Sequence, residues 1–267
     1  MGERLKLSVC GATGRMGRTV IRLCGQSEDF ELVGACAGSG DEALGEDAGT
    51  LSGGARAGVA VTDDLASALL GAQVVIDFSL PQALEQLARL AARQGVALVS
   101  GTTGLRDLSV LDTAAARVPV LWAANMSLGV QVLAELAAEA ARRLGPGFDI
   151  EISETHHRNK VDAPSGTGLR LAEAVREARQ LRTVTGRQGI VGARSSDEIG
   201  VLAFRGGDVI GDHTVHLLGP GERLELTHRA TNRDLFAQGA LRAARWIVTQ
   251  PPGRYTLRDV LDSMARR

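Results

Sequence analysis

Aromatic residues make up only 3% of this 267-residue chain, too few for the stacking platforms that hold single-stranded nucleic acid. There is no excess of positive charge either: 30 Lys plus Arg stand against 31 Asp plus Glu, a formal net charge of -1. That balance excludes the strongly basic face of a nucleic-acid binder or a polybasic membrane anchor. No apolar run reaches the roughly 18 residues of a membrane span, and the N-terminus enters LKLSVCG without a signal-peptide pattern, so the chain is expected in the cytoplasm. The three cysteines, Cys10, Cys24 and Cys36, lack CxxC spacing, and an odd number in a reducing compartment reads as small buried hydrophobes. Lysine is scarce: of the 30 basic residues only Lys6 and Lys160 are lysine.

Glycine, by contrast, is abundant at 33 residues, which points to tight turns and close backbone approaches. At 44% hydrophobic and 23% charged the composition is that of a globular protein with a large core, long enough for two domains.

Up to about residue 126, short apolar runs (LKLSVC, ELVGACA, VVIDFS, VALVSG, VPVLWAA) alternate with helical patterns such as PQALEQLARLAARQ and LRDLSVLDTAAAR. Continuous apolar strands separated by amphipathic helices predict an α/β domain, a doubly wound Rossmann-type parallel sheet covered on both faces. Residues 38–58 interrupt the rhythm and read as a long functional loop. After Gly129 come a long helix, VQVLAELAAEAARRL, a strand around FDIEISE, a helix near 167–181, and the extended runs IGVLAFRGG, DVIGDHTVHLLG and ERLELTHRA. These predict a second, α+β domain with a mostly antiparallel or mixed sheet. The final helix, LFAQGALRAARWIVTQ, and the tail pack back on the first domain in this reading. The expected domains are therefore 1–126 plus 236–267, binding a dinucleotide, and 127–235, binding substrate and forming the oligomer.

The first strand runs into VCGATGRMGRTV, with Gly11, Gly14 and Gly17 spaced GxxGxxG. Glycines there let backbone N–H groups approach a pyrophosphate at a helix N-terminus, and the strand-turn-helix context favours a dinucleotide site over a plain tight turn. SGTTG at 100–104 and AANMS at 123–127 also follow strands; on their residues alone they are either cofactor loops of the same crevice or turns with a cap at Thr102 or Ser127. The second strand ends ACAGSGD, without the acidic or basic residue that usually separates NAD from NADP users. Asp41 stands too far along to replace it, and Ser39 could bond either form.

ETHHRNKVDAPSGTG at 154–168 gathers His156, His157, Arg158 and Lys160 directly before a helix start at Ser165, Gly166 and Thr167. Two hydroxyls, exposed N–H groups and a helix dipole make a carboxylate cradle, although a plain N-cap has the same sequence. An ammonium or imidazolium both binds anions and gives up a proton, which a guanidinium hardly does. The combination describes a site for a dianionic small molecule. In a regular strand His157 faces away from His156, so the strand must break near Thr155 if both reach one ligand. Metal binding finds no third ligand, since His213 and His216 are three apart in an expected strand and face opposite ways.

Through GATGRMG, VVIDFS, SGTTG, AANMSLGV, ETHHRNKVDAPSGTG, FRGGDVIGDHTV and ERLELTHRATNRDLFAQGA nearly the whole chain resembles the 4-hydroxy-tetrahydrodipicolinate (dihydrodipicolinate) reductases of the diaminopimelate route to lysine. The resemblance implies reduction of a cyclic dicarboxylic imine by NADH and/or NADPH. His156 is then the proton donor and Lys160 a second donor or electrostatic partner, while His157, Ser165, Gly166 and Thr167 bind the substrate. Gly11, Ala12, Thr13, Gly14, Arg15, Met16, Gly101, Thr102, Thr103, Ala123, Ala124, Asn125 and Met126 line the cofactor. It also implies a homotetramer built through the second sheet, with no metal. Asn159 stands where many relatives carry another basic residue, and the acidic residue expected after ACA is missing. The alternative is another two-domain NAD(P)-dependent oxidoreductase acting on a small dicarboxylate or amino acid.

Overall fold

The structure is a computed structural model describing residues 3–105 and 107–265. Its elements begin with β1 (Leu5–Cys10), α1 (Arg15–Gly25), β2 (Phe30–Cys36), α2 (Ala48–Leu51), β3 (Val61–Thr62), α3 (Leu65–Ala68), β4 (Val74–Asp77), α4 (Pro81–Gln94), β5 (Ala97–Ser100), α5 (Ser109–Ala115) and β6 (Pro119–Trp122). They continue with α6 (Leu128–Leu144), β7 (Asp149–His156), α7 (Gly166–Arg179), β8 (Arg182–Val184), β9 (Glu198–Arg205), β10 (Gly211–Gly219), β11 (Glu222–Ala230), α8 (Asp234–Ile247), β12 (Gly253–Tyr255) and α9 (Leu257–Ala265). Two compact units result: one holds the described residues up to Met126 and those from Asp234 onward, the other Ser127–Arg233.

The first unit is built on a seven-stranded sheet in the order β12-β6-β5-β4-β1-β2-β3, every pair parallel. This is the doubly wound Rossmann-type arrangement, whose order reverses between β1 and β4 and so opens a crevice at the carboxyl ends of those strands. All four residues of β4 are buried, as a strand covered on both faces requires. Helix α4 shows how the cover forms. Pro81 pre-sets its first turn, Leu84, Leu87, Ala88 and Ala91 fall on one buried face, and Gly95 closes it at φ 73°, donating its N–H to the Ala91 carbonyl. Burying each leucine contributes roughly 2 kcal/mol. Helix α8 packs against α1 and the β4–β6 region, so closely that a Cβ on Gly239 would lie 1.8 Å from the Met126 carbonyl oxygen.

In the second unit the order is β11-β10-β7-β9-β8. β10 runs antiparallel to β7 and β11, while β7, β9 and β8 are mutually parallel. The sheet is mixed because α7 makes the crossover that a parallel pair needs. Leu133, Ala134, Ala137 and Ala141 of α6 and Leu171, Ala172 and Val175 of α7 cover one face of it, against Ile150, Ile152, Ile199, Val201, Val215 and Leu217.

The departures from the sequence pattern are local. The helix expected over 105–117 is confined to Ser109–Ala115 because the Asp107 carboxylate accepts the Ser109 N–H at 2.9 Å and turns the chain there; Arg106 lies outside the described residues. The expected loop at 38–58 is organised around Asp47, which accepts N–H groups from Thr50, Ala57 and Gly58 at 3.0, 3.0 and 2.7 Å. Elements of two to four residues, such as β3, α2 and β12, are too short to show a period. Among the described residues no helix is long and apolar enough to cross a membrane.

Candidate active site

The glycine turn after β1 is shaped by close approach. Gly11 lies at φ +75°, and a Cβ on it would stand 2.5 Å from the Phe78 carbonyl oxygen; one on Gly17 would stand 2.0 Å from the Gly11 carbonyl oxygen. Only a bare backbone passes there. Beside the turn opens a cavity of about 580 Å³ whose lining includes Gly11, Thr13, Gly14, Ser39, Asp41 and Asp63. Asp41, remote along the chain, is folded back by a turn from Gly38 and accepts the Thr13 hydroxyl at 2.6 Å and the Ala43 N–H at 3.0 Å. Those two hydrogen bonds, Thr13 first, hold its carboxyl below the usual range. Cys10 and Cys36 are buried as expected, yet both also line this cavity.

Of the other residues expected at the cofactor, several contribute shape rather than free donors. The N–H groups of Ala12, Gly14, Gly101 and Ala123 bond to the carbonyls of Cys36, Gly11, Asp77 and Ser100. The Thr102 hydroxyl, buried, donates to Asp77 at 2.8 Å. That carboxylate, at the end of β4, also accepts the Ser100 hydroxyl at 2.7 Å and the Ser79 N–H at 3.0 Å, tying the loops after β4 and β5 together. Met126 is buried, Ala124, Arg15 and Thr103 are exposed, and Met16, Ala123 and Asn125 are half-buried.

In the second unit, alternation along β7 puts Ile150, Ile152, Glu154 and His156 on the helix-covered side. The face that begins as apolar core ends as a polar cluster. Register sets Glu154 opposite His213 on β10 and His156 beside Arg205 on β9. The Glu154 side chain is fully buried. Its Oε1 accepts the Ser165 N–H and an Arg205 guanidinium N–H, both at 2.9 Å, and its Oε2 lies 3.0 Å from His156 Nδ1 and 3.6 Å from His213 Nε2. Burial acts to raise the Glu154 pKa, but the adjacent His156 and the hydrogen bonds from Ser165 and Arg205 outweigh it and hold the carboxyl well below the usual range. The two imidazoles meet edge to face, centroids 5.1 Å apart. Burial first, then the nearby His156, pushes His213 down to about 4.

The strand breaks after His156, one residue beyond the expected point, and a turn follows in which Lys160 N–H donates to the His157 carbonyl. The Lys160 ammonium pairs with Asp162 at 2.8 and 3.0 Å. Ala163–Pro164 is a cis peptide, and Ser165 is the N-cap of α7: its buried hydroxyl accepts the Gly168 N–H at 3.0 Å and lies 3.3 Å from His213 Nε2. The Ser165 hydroxyl therefore faces inward, whereas Gly166 is exposed and Thr167 half-buried. His216 does face away from His213, bonding Ser153 at 2.9 Å on the other side of the sheet.

The third group that the sequence reading lacked for a metal is Glu154, since single atoms of Glu154, His156 and His213 lie within 4.8 Å of one another. A guanidinium on the same carboxylate opposes a divalent ion there, and the arrangement is that of a proton-holding network. Glu154, Arg205 and His213 escaped the sequence reading. Only Glu154 had a signal, its two-residue spacing from His156 on one strand face.

Residues 5–126 match the family model described as dihydrodipicolinate reductase, N-terminus, and residues 129–261 the one described as dihydrodipicolinate reductase, C-terminus. The chain is 49% identical over 262 residues to the 4-hydroxy-tetrahydrodipicolinate reductase of Anaeromyxobacter dehalogenans, covering 96% of this chain and 97% of that one. To that of Myxococcus xanthus it is 50% identical over 264 residues, covering 96% and 97%. Among solved structures, a dipicolinate-bound dihydrodipicolinate reductase from a Paenisporosarcina species superposes with a TM-score of 0.78 at 24% identity, covering 95% of this chain and 98% of that one, and so shares the fold.

The depressed His213 pKa gives a stability test. Between about 4 and about 6.5 the unfolded chain binds a proton at this histidine that the folded chain refuses, so stability falls as pH drops through that window. The displacement from 6.5 to about 4 corresponds to at most ~3 kcal/mol. Urea unfolding at pH 7 and pH 4.5 is expected to show a larger loss for the unmodified protein than for His213→Gln; equal losses would contradict the effect of burial.

Proposed function

Because the chain belongs to the dihydrodipicolinate reductase family, we propose that it reduces 4-hydroxy-tetrahydrodipicolinate to tetrahydrodipicolinate with NAD(P)H, in lysine and diaminopimelate biosynthesis. The observation that carries this reading is the buried Glu154–His156–His213 cluster against the Ser165 N-cap, with the chain's rare lysine in the adjoining loop. The glycine turn supports a dinucleotide, since Gly11 and Gly17 leave room for the close packing of the β1–α1 turn on the Phe78 and Gly11 carbonyls that a pyrophosphate-binding turn uses.

Loss of water from the hydroxylated ring gives a conjugated imine, to which one hydride and one proton add. A bound reduced nicotinamide supplies the hydride. His156 delivers the proton to the neighbouring carbon, and Lys160, a point charge beside Asp162, offsets the negative charge that spreads into the imine. The first turn of α7, with Gly166 and Thr167 outermost, receives a ring carboxylate together with His157. His156→Ala and Lys160→Ala are each expected to lower kcat by about 100- to 10,000-fold while leaving cofactor binding, read by fluorescence titration, nearly intact. Wild-type turnover in either variant would refute its role.

The cavity also bears on cofactor choice. Among the described residues its lining holds Asp41 and Asp63 and no Lys, Arg or His, although Arg18 lies within electrostatic reach of Asp41. Two carboxylates oppose a 2′-phosphate and suit ribose hydroxyls, so NADH is the favoured partner. Titration of the purified protein should give a lower Kd for NADH than for NADPH, with Asp41→Ala narrowing the difference; tighter NADPH binding would reverse the reading.

We read β11 as part of the tetramer surface. It is a nine-residue edge strand, largely exposed and, among the described residues, paired only with β10, and exposed Leu224 lies on it. Such an edge invites association. Light scattering should return the mass of four chains, and a monomer at micromolar concentration would count against it.

A further inference from the structure

The cluster contains one group that the reaction as drawn leaves without a task. Glu154 carries a charge with no access to water, and such a charge survives only with partners. Arg205 and the Ser165 N–H account for Oε1. Oε2 and His156 Nδ1 are both buried, and among the described residues neither has a hydrogen bond of good geometry; each is the other's near neighbour, at 3.0 Å. Arg205 is itself held, donating to the Asp162 carbonyl at 2.6 Å, so the carboxylate is clamped between the sheet and the loop that carries Lys160.

An imidazole nitrogen facing an ionised carboxylate must carry a proton, which fixes the tautomer of the ring. Resting on the reading of His156 as proton donor, we infer that Glu154 is a positioning residue: its clamped carboxylate takes the Nδ1–H of His156 and leaves Nε2 to hand its proton to the substrate. The other side of the ring agrees. A Cβ on Gly211 would lie 3.0 Å from His156 Nε2, so a glycine on β10 keeps that nitrogen's surroundings open. Glu154 also keeps the ring aligned before and after transfer.

Other charges face the same ring and would move a pH profile. They are Arg205 on β9, His213 on β10, and Lys160 with Asp162 in the loop after β7; His228 on β11 acts on His213, with Asp212 near it. Substitution by Gln and by Asp separates the charge of Glu154 from its shape: Gln takes the charge away from Arg205 and His213 as well, whereas Asp keeps it for all three. In the full-length enzyme Glu154→Gln is expected to lower kcat about 10- to 100-fold, with the KM for NADH within about twofold, and to move the alkaline limb of kcat/KM down by about one pH unit or more. Glu154→Asp, which keeps the charge, should return the limb toward its original position. An unchanged limb and kcat in Glu154→Gln would overturn the inference.

Should Glu154→Gln fail to fold, nitrogen-15 NMR of histidine in the unsubstituted protein decides the matter. The His156 signals, identified by their absence in His156→Ala, should show Nδ1 protonated and Nε2 bare above the ring's titration; the opposite tautomer would overturn the inference. Failure of the unsubstituted protein to reduce the imine would instead remove the proposed function, and the tautomer measurement would stand apart from it.

Discussion

A carboxylate deprived of water sets the terms for the second unit. Glu154 stays ionised because Arg205, the Ser165 N–H and a histidine converge on it, and each of those partners is delivered by a different element. Removing one partner of such a buried pair typically costs about 3–5 kcal/mol, so the ends of β7 and β9 and the start of α7 are bound to keep their positions. The ordering of the proton-holding histidines follows from this electrostatic need. The sheet register that brings His213 opposite Glu154 serves it too, and burial, which pushes His213 down to about 4, leaves it uncharged at neutral pH.

In the first unit the constraint is steric. The Gly11 turn, the Phe78 carbonyl and the start of α1 approach so closely that no side chain fits at Gly11 or Gly17. Asp77 draws the next two loops into a common network through Ser79, Ser100 and Thr102. Much of what looks in sequence like ligand chemistry at SGTTG is thus support. The cavity itself is lined instead from the ends of β1, β2 and β4, as the reversal of strand order between β1 and β4 dictates.

Elements with a long period were legible in the sequence. Helices such as α4 follow from their period and the buried four-residue strands from unbroken apolar composition, while the expected strand break near Thr155 falls one residue short of the end at His156. The mixed character of the second sheet was left open because period cannot tell parallel from antiparallel pairing. The candidate site was half legible: His156, Lys160 and Ser165 stand in one continuous stretch. Arg205 and His213 reach it only through strand register, which one sequence does not encode visibly. Asp41 was passed over for the same kind of reason, since a turn at Gly38 brings it back to Thr13 and linear distance misjudged it.

His156 occupies the last rung of β7, on the face that also carries Ile150 and Ile152. The proposed proton donor is therefore an extension of the apolar interior, with no hinge between hydrocarbon packing and imidazole. Fraying of that sheet end and misalignment of the ring are one and the same event, so the precision of the proposed donor is inherited from the cooperativity of folding rather than added to it by a mobile loop.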